Sequence, residues 1–231
     1  MDPHRKYWNE QQQILQKALA GAGEHQTAIE LFLSQHALVH ARRMANSALW
    51  SFEDEAWEET DEEMVRQIPR GEEHSMVWTL WHLARIEDVT MNLLVAGSPQ
   101  LLHRDGWLER LKVKACDTGN ATDTAGVVEI SATLDVAVLR DYRVAVGRRT
   151  RAIVQGLTPH ALQKKVAPDR IQRITEEGAV VAAAQEVIDY WSKRTVAGLL
   201  LMPPTRHNFI HLNEALRLKQ KLVGSRKTVK H

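Results

Sequence analysis

Apolar positions recur along this chain with helical spacing, and the breaks fall at glycine and proline. Residues about 6–20 form a polar stretch that predicts a helical lead-in ending at Gly21-Ala22-Gly23. From about Thr27 to Ala48 a first long helix is expected, with Ile29, Phe32, Leu33, His36, Val39, His40 and Met44 on one face. Residues 51–73 carry ten acids and two arginines, a pattern that predicts a solvated connection with a short helix near Asp61–Gln67. A second helix is expected from Ser75, a suitable N-cap, to Ala96 before Gly97-Ser98-Pro99, with Trp78, His82, Ile86, Val89 and Leu93 facing inward. A loop-rich stretch follows, with a short helix around Asp105–Leu111 and a turn at Asp117-Thr118-Gly119-Asn120. A third long helix is predicted over about Ser131–Gln155, apolar along Leu134, Val138, Ala145 and Ala152. The segment 160–174 is expected to be extended or irregular, 175–201 suggests two shorter helices, and Pro203-Pro204 should end that element. A last helix is expected from about Thr205 to Leu222. Strand patterns are nearly absent, so the fold class is all-α, an antiparallel helical bundle with long crossover connections and extra short helices. The organisation expected is a lead-in over 1–26, a bundle domain over 27–222 and a basic tail over 223–231, where Arg226, Lys227 and Lys230 extend the charge of Lys219 and Lys221.

Composition narrows the function classes. Thirty basic against 29 acidic side chains leave a net charge of +1, which speaks against a nucleic-acid-coating protein. The single cysteine, Cys116, excludes an intramolecular disulfide framework and a multi-thiolate zinc site. The longest apolar run, Val196 to Met202, is far shorter than the roughly 20 residues of a bilayer span. The N-terminus shows no apolar core of a signal peptide, so a cytoplasmic location is expected. Trp50 and Trp57, at a helix end and in the acidic connection, suggest exposed indoles at a homodimer interface.

The 11 histidines are unusual, and two of them stand at helical spacing in Arg206-His207-Asn208-Phe209-Ile210-His211-Leu212-Asn213-Glu214. Residues four apart on a helix differ by only about 40° in direction, so His207 and His211 project together with Glu214 between them. Two imidazoles and a carboxylate suit a divalent transition metal. Asn208 stands where a zincin motif needs glutamate, so the segment is not HExxH. His82, on an otherwise apolar stripe, supplies a third inward imidazole, and a buried histidine must find partners for both nitrogens. Glu87 and Asp88 project away from His82. His36 and His40 form a rival pair, open to supporting or acid/base roles. The other histidines, His74 among them, fall at ends or in loops and are expected to be solvated. Nucleotide-cradle, hydrolase-elbow and CxxC motifs are absent from the sequence.

The run Ser75-Met76-Val77-Trp78-Thr79-Leu80-Trp81-His82-Leu83-Ala84-Arg85-Ile86-Glu87-Asp88 resembles the second helix of DinB-like proteins, with their S-x-x-W-x-x-W-H-L-A-R-x-E-D pattern. The His207–His211 segment resembles that family's HxxxH, although Leu212-Asn213-Glu214 replaces the frequent x-G-Q ending. The likeness extends over roughly residues 27–222. It implies a four-helix bundle with a three-histidine metal site, whose ligands would be His82, His207 and His211. Characterised relatives include S-transferases that use thiols such as bacillithiol or mycothiol, and metal-binding domains of thiol-histidine biosynthesis enzymes. The resemblance therefore implies a metal-dependent enzyme, holding zinc or alternatively nickel or iron, that joins a low-molecular-weight thiol to a small electrophilic substrate. Glu214 would orient a ligand or add a fourth, and His40 or Tyr142 would handle protons. The alternatives are a hydrolase using the same site and a stress-associated protein that binds a metal or small molecule without turnover.

Overall fold

A computed structural model describes residues 2–22 and 24–229, except for the side chains of 22 and 227–229. Gly23 of the expected break, Lys230 of the tail and His231 lie outside the described residues, as does the Lys227 side chain. The chain is all-α. In order come α1 (Pro3–Lys17), α2 (His25–Leu38), α3 (Arg42–Ala45), α4 (Phe52–Trp57), α5 (Glu62–Arg66), α6 (Met76–Asp88), α7 (Leu101–Arg104), α8 (Trp107–Leu111), α9 (Thr124–Thr133), α10 (Val136–Gln155), α11 (Pro159–Gln163), α12 (Pro168–Glu176), α13 (Gln185–Ser192), α14 (Val196–Leu200) and α15 (Asn208–Val229).

Helix α6 is the axis of the molecule. Ser75 caps it by accepting the Trp78 amide, and all of its residues are buried, including Arg85, Glu87 and Asp88. It packs against α10 on one side and α15 on another. The helix continues through wider turns at Val89–Ala96 and stops at Gly97, whose φ of 67° is open to glycine at little cost. One apolar cluster gathers Trp8, Trp78, Trp81, Trp107, Phe209 and Leu212; a second gathers Leu15, Phe32, Leu93, Ile174, Trp191 and Leu199.

The lead-in packs into this core. Trp8 of α1 is 0% exposed and stacks on Phe209 of α15 with ring centroids 3.9 Å apart. The expected 27–48 helix is shorter: it leaves helical geometry at Val39 and resumes as α3. The reason is polar, because the Ala41 amide donates to buried Glu53 while His40 turns to Glu87. The expected 131–155 helix is two helices joined at Leu134, with Asp135 capping α10 through the Val138 amide. The inward face of α10 also differs from the expected stripe: Leu139, Tyr142, Arg143, Val146, Thr150 and Val154 are buried, while Ala152 is exposed. Segment 160–174 holds α11 and α12, each opened by a proline that fixes φ.

The acidic connection contains the expected short helix as α5, capped by Asp61, but it also forms α4 and is not wholly solvated. Glu53 inside it is buried and pairs with Arg143 at 2.9 Å. The basic end of α15 lies along this connection: Arg226 binds Asp61 at 3.0 Å and Lys219 donates to the Glu55 carbonyl at 2.6 Å. Trp57 is buried, and Trp50 is half-buried between His4 and Phe52. No helix among the described residues is long and apolar enough to cross a membrane.

The element before Pro203-Pro204 ends as expected, with α14 stopping at Leu200 and Leu201 as its C-cap, but no loop separates it from the last helix. Two amides are missing from the ladder there, and the chain passes through a wider turn, Met202–His207, directly into α15. Side chains bond carbonyls around the turn: Thr205 Oγ1 donates to Leu200, whose usual partner would be the missing Pro204 amide, at 2.8 Å, and Asn208 Nδ2 to Pro203 at 3.2 Å. His207 thus stands at the junction of the wide turn and α15.

Candidate metal centre

His82, His207 and His211 meet where α6 faces the start of α15. Each offers a nitrogen within 4.8 Å of those of the other two. Their ring centroids are 5.0 Å (His82–His207), 5.2 Å (His82–His211) and 4.5 Å (His207–His211) apart.

The orientation of His82 is set from behind. Its ring lies nearly parallel to Trp78 at 5.1 Å, and Nδ1–H donates to the Thr118 carbonyl at 2.5 Å. That bond selects the tautomer whose lone pair is on Nε2. The Thr118 loop is itself held, because the Thr118 amide donates to Ala179 at 2.9 Å and the Arg85 guanidinium to Cys116 and Asp117 carbonyls at 2.8 and 3.4 Å. Gly119 completes the turn at φ 81°, and a Cβ there would stand 2.6 Å from the Trp81 ring.

His211 is oriented in the same manner by a carboxylate. Its Nδ1 lies 2.7 Å from Glu214 Oε2, leaving Nε2 for a ligand. Glu214 Oε1 lies 3.3 Å from His74 Nδ1, and the His74 ring stacks on Trp78 at 3.8 Å. His74, expected in solvent, therefore belongs to this centre. Burial would raise the Glu214 pKa, but the hydrogen bonds from His211 and His74 outweigh it and hold the group ionised well below the usual carboxylate range.

Burial pushes the His82 imidazole down to about 3, with His211 acting in the same direction, and burial likewise holds His207 well below its ordinary value. Both are therefore neutral near pH 7, the state a metal requires. His82 Nε2 and His207 Nε2 stand 3.2 Å apart. With the His82 lone pair committed to Nε2, a proton or a cation must occupy the space between these atoms. Two nitrogens bound to one tetrahedral zinc at 2.0–2.1 Å are separated by about 3.3 Å, so the donor set fits a divalent metal.

The remaining predicted residues lie elsewhere. His36 Nε2 and His40 Nε2 donate to the two oxygens of Glu87, at 2.8 and 2.9 Å, in a wholly buried cluster. Thr150 Oγ1 donates to Glu87 Oε1 at 2.7 Å and Asn208 Nδ2 to Oε2 at 2.9 Å. His36, His40 and Glu87 are also close enough to one another to hold a metal. However, four donors already surround the carboxylate, which makes Glu87 a hydrogen-bonding node. Gly147 permits it, since a Cβ at that position would meet the His40 ring at 2.9 Å. Tyr142 is not at the histidine centre: its hydroxyl donates to Asp88 at 2.5 Å and accepts from Arg85 at 2.8 Å. Burial raises its pKa well above 10, which leaves it a hydrogen-bonding anchor for the Arg85–Asp88 pair. Neither His40 nor Tyr142 is placed to move a proton at the three histidines.

Glu87, Thr150 and Asn208 escaped the sequence reading. Glu87 and Asp88 do point away from His82 as expected, but their partners are distant in sequence; Asn208 is linked to Glu87 across 121 residues. Inward spacing of His36 and His40 was the one available signal.

No curated protein matches the chain. The sequence model described as the DinB superfamily matches residues 45–214, a span that holds all three convergent histidines and Glu214 but neither His36 nor His40. With most of its length matched in this way, the chain belongs to the DinB superfamily.

Proposed function

We propose that the protein is a metal-dependent enzyme in which His82, His207 and His211 hold one divalent transition metal, zinc first among the candidates, and that it transfers a low-molecular-weight thiol to a small electrophile. The observation that carries this reading is the convergence of three imidazole nitrogens, His82 and His207 at 3.2 Å, on a centre that an open cleft reaches through His207. Three protein ligands leave a coordination position for a reactant. When bound there, the cation lowers the pKa of a thiol or water. The chain's own residues then have separate tasks. Thr118 and Glu214 hold two imidazoles in the ligating tautomer through hydrogen bonds to Nδ1. Glu214 and His74, both partly exposed, connect the centre to solvent, where the thiol proton is released. In the transfer, the sulfur–carbon bond forms as the bond from carbon to its leaving group breaks, and the leaving group departs with the electron pair.

Elemental analysis of untagged protein beside the His82→Ala/His207→Ala variant tests the centre. About one metal per chain, absent from the variant, is the expected result; a metal-free chain that also refuses added zinc and nickel would overturn the reading. Mass spectrometry after incubation with thiols and electrophiles separates the chemistries. A thiol adduct supports transfer, whereas hydrolysis without adduct assigns water as the nucleophile.

A further inference from the structure

The cleft beside His207 has a volume of 380 Å3, within the range that encloses a small molecule. Ile86, Trp191 and Pro203 are buried and form its floor, and half-buried Val187, Tyr190 and Met202 complete the apolar wall. Asn120 and Glu186 are exposed and stand at the rim. Among the described residues no lysine or arginine lines it, and the Arg194 guanidinium rests over the Tyr190 ring, 4.1 Å from the centroid. Three elements bring this surface together: α6, one turn beyond His82; the wide Met202–His207 turn; and α13. Charged and amide side chains are thus confined to the rim, and the wall between them and His207 is mostly apolar, with the Tyr190 hydroxyl and the Trp191 indole N–H as its own polar groups.

We infer that this cleft binds the apolar body, an alkyl or aryl chain, of a small-molecule substrate and directs its reactive end at His207. The inference names the substrate class for the metal-centre reading and rests on it for the reacting end alone. With no lysine or arginine among the described residues of its lining, the cleft offers no cationic side chain to hold a phosphate or carboxylate along the apolar wall. Its affinity comes from apolar area removed from water, which grows with chain length.

The test is titration of the zinc-treated protein with n-alkanols from butanol to octanol, followed by the 13C-methyl NMR signal of Met202, assigned with Met202→Leu. Each added methylene is expected to tighten binding roughly fourfold until the cleft is filled, and Val187→Arg is expected to abolish the response. Affinity independent of chain length in the wild-type protein, or a Met202 signal that does not move, would overturn the inference. So would a folded Val187→Arg variant that responds as the wild type does. The slope in the wild-type protein needs no variant to be interpretable. Metal content measured on the same sample separates the two claims. A length-dependent response in a chain that holds no metal leaves the cleft standing and removes the metalloenzyme, and bound zinc with no length dependence does the reverse.

Discussion

Replacing Glu87 tests whether a buried node behind the metal centre holds the fold. The carboxylate accepts from His36 at 2.8 Å, His40 at 2.9 Å, Thr150 at 2.7 Å and Asn208 at 2.9 Å, with 0% of the residue exposed. Glu87→Ala removes every acceptor at once and leaves four donors facing a cavity. Those four losses share one site and are not additive. Breaking a buried charged cluster by removing one partner costs about 3–5 kcal/mol, a large part of the roughly 5–15 kcal/mol that holds a domain together. Glu87→Gln is gentler. It keeps the volume and one oxygen for His36 and Thr150 but turns an NH2 toward His40 and Asn208. His40 can answer by exchanging tautomer. Asn208 cannot flip without penalty, because its Oδ1 accepts from Arg143 at 3.3 and 3.4 Å. The expected cost is about 1–3 kcal/mol, that of one buried unsatisfied group. Urea unfolding measures both, with unchanged m-values showing that the denatured state is the same. Because Asn208 follows His207 directly, Glu87→Gln should also weaken zinc in competition with a chelator. A Glu87→Ala protein within about 1 kcal/mol of wild type would refute the assignment of Glu87 as the node.

Acid should destabilise the protein through the same cluster. Burial, with His40 acting in the same direction, pushes His36 down to about 4 from 6.5, so between those values an unfolded chain binds a proton that the folded one refuses. Stability therefore falls as pH drops across that window, by up to about 1.4 kcal/mol per unit for this group. Glu87 is held well below 4.5 because His40 and His36 outweigh the opposing effect of burial, and it adds a loss of the same sign at lower pH. A urea midpoint that stays flat from pH 6.5 to 4.5 would contradict this. Glu214→Gln should weaken zinc binding tenfold or more by releasing His211, measured by chelator competition; an unchanged affinity would dismiss Glu214 as an orienter. Trp8→Ala should cost about 3–5 kcal/mol in thermal or urea unfolding, because its indole is fully buried against Phe209, and a near-neutral effect would show that α1 docks weakly. Gly147→Ala should destabilise by pressing on His40 and Met44, and an unchanged unfolding midpoint would show that this contact gives way freely.

Helical periodicity made the three histidines legible, because His82 and His211 lie on helices whose phase the apolar neighbours fix and the wide turn leads directly into α15, keeping His207 beside His211. It made α6 and its wider-turned continuation legible almost to the residue, since Ser75 and Gly97 mark the ends of that whole segment. The same reasoning misplaced α10. Its inward face includes Arg143 and Thr150, which are both fully buried, and a hydrophobic pattern assigns such residues to solvent. The break at Val39 was equally hidden: no glycine or proline marks it, and its cause is a carboxylate twelve residues ahead that takes the Ala41 amide. Ordering of the acidic connection depends on Arg143 and the basic end of α15, partners that local charge counting cannot reach.

These failures share a physical origin in buried ionic groups, and their placement relates them to the centre. Arg85 lies three residues beyond His82. Its guanidinium joins Asp88 at 3.0 Å and Tyr142 at 2.8 Å while it holds the loop whose Thr118 carbonyl orients His82. Asp88 in turn accepts the amides of Leu101 and Leu102, both at 2.9 Å, which fixes the chain entering α7. Glu87 works from the opposite flank of the same helix, gripping Asn208 beside His207. The Arg-x-Glu-Asp end of the α6 motif thus supports two ligands from behind without touching either. Charged groups so deeply buried are costly unless fully partnered. Here every hydrogen-bonding nitrogen of Arg85 and every oxygen of Glu87 and Asp88 has a partner. That satisfaction lets polar residues stand where apolar ones would pack more simply, and it gives the histidines a rigid wall from which to converge.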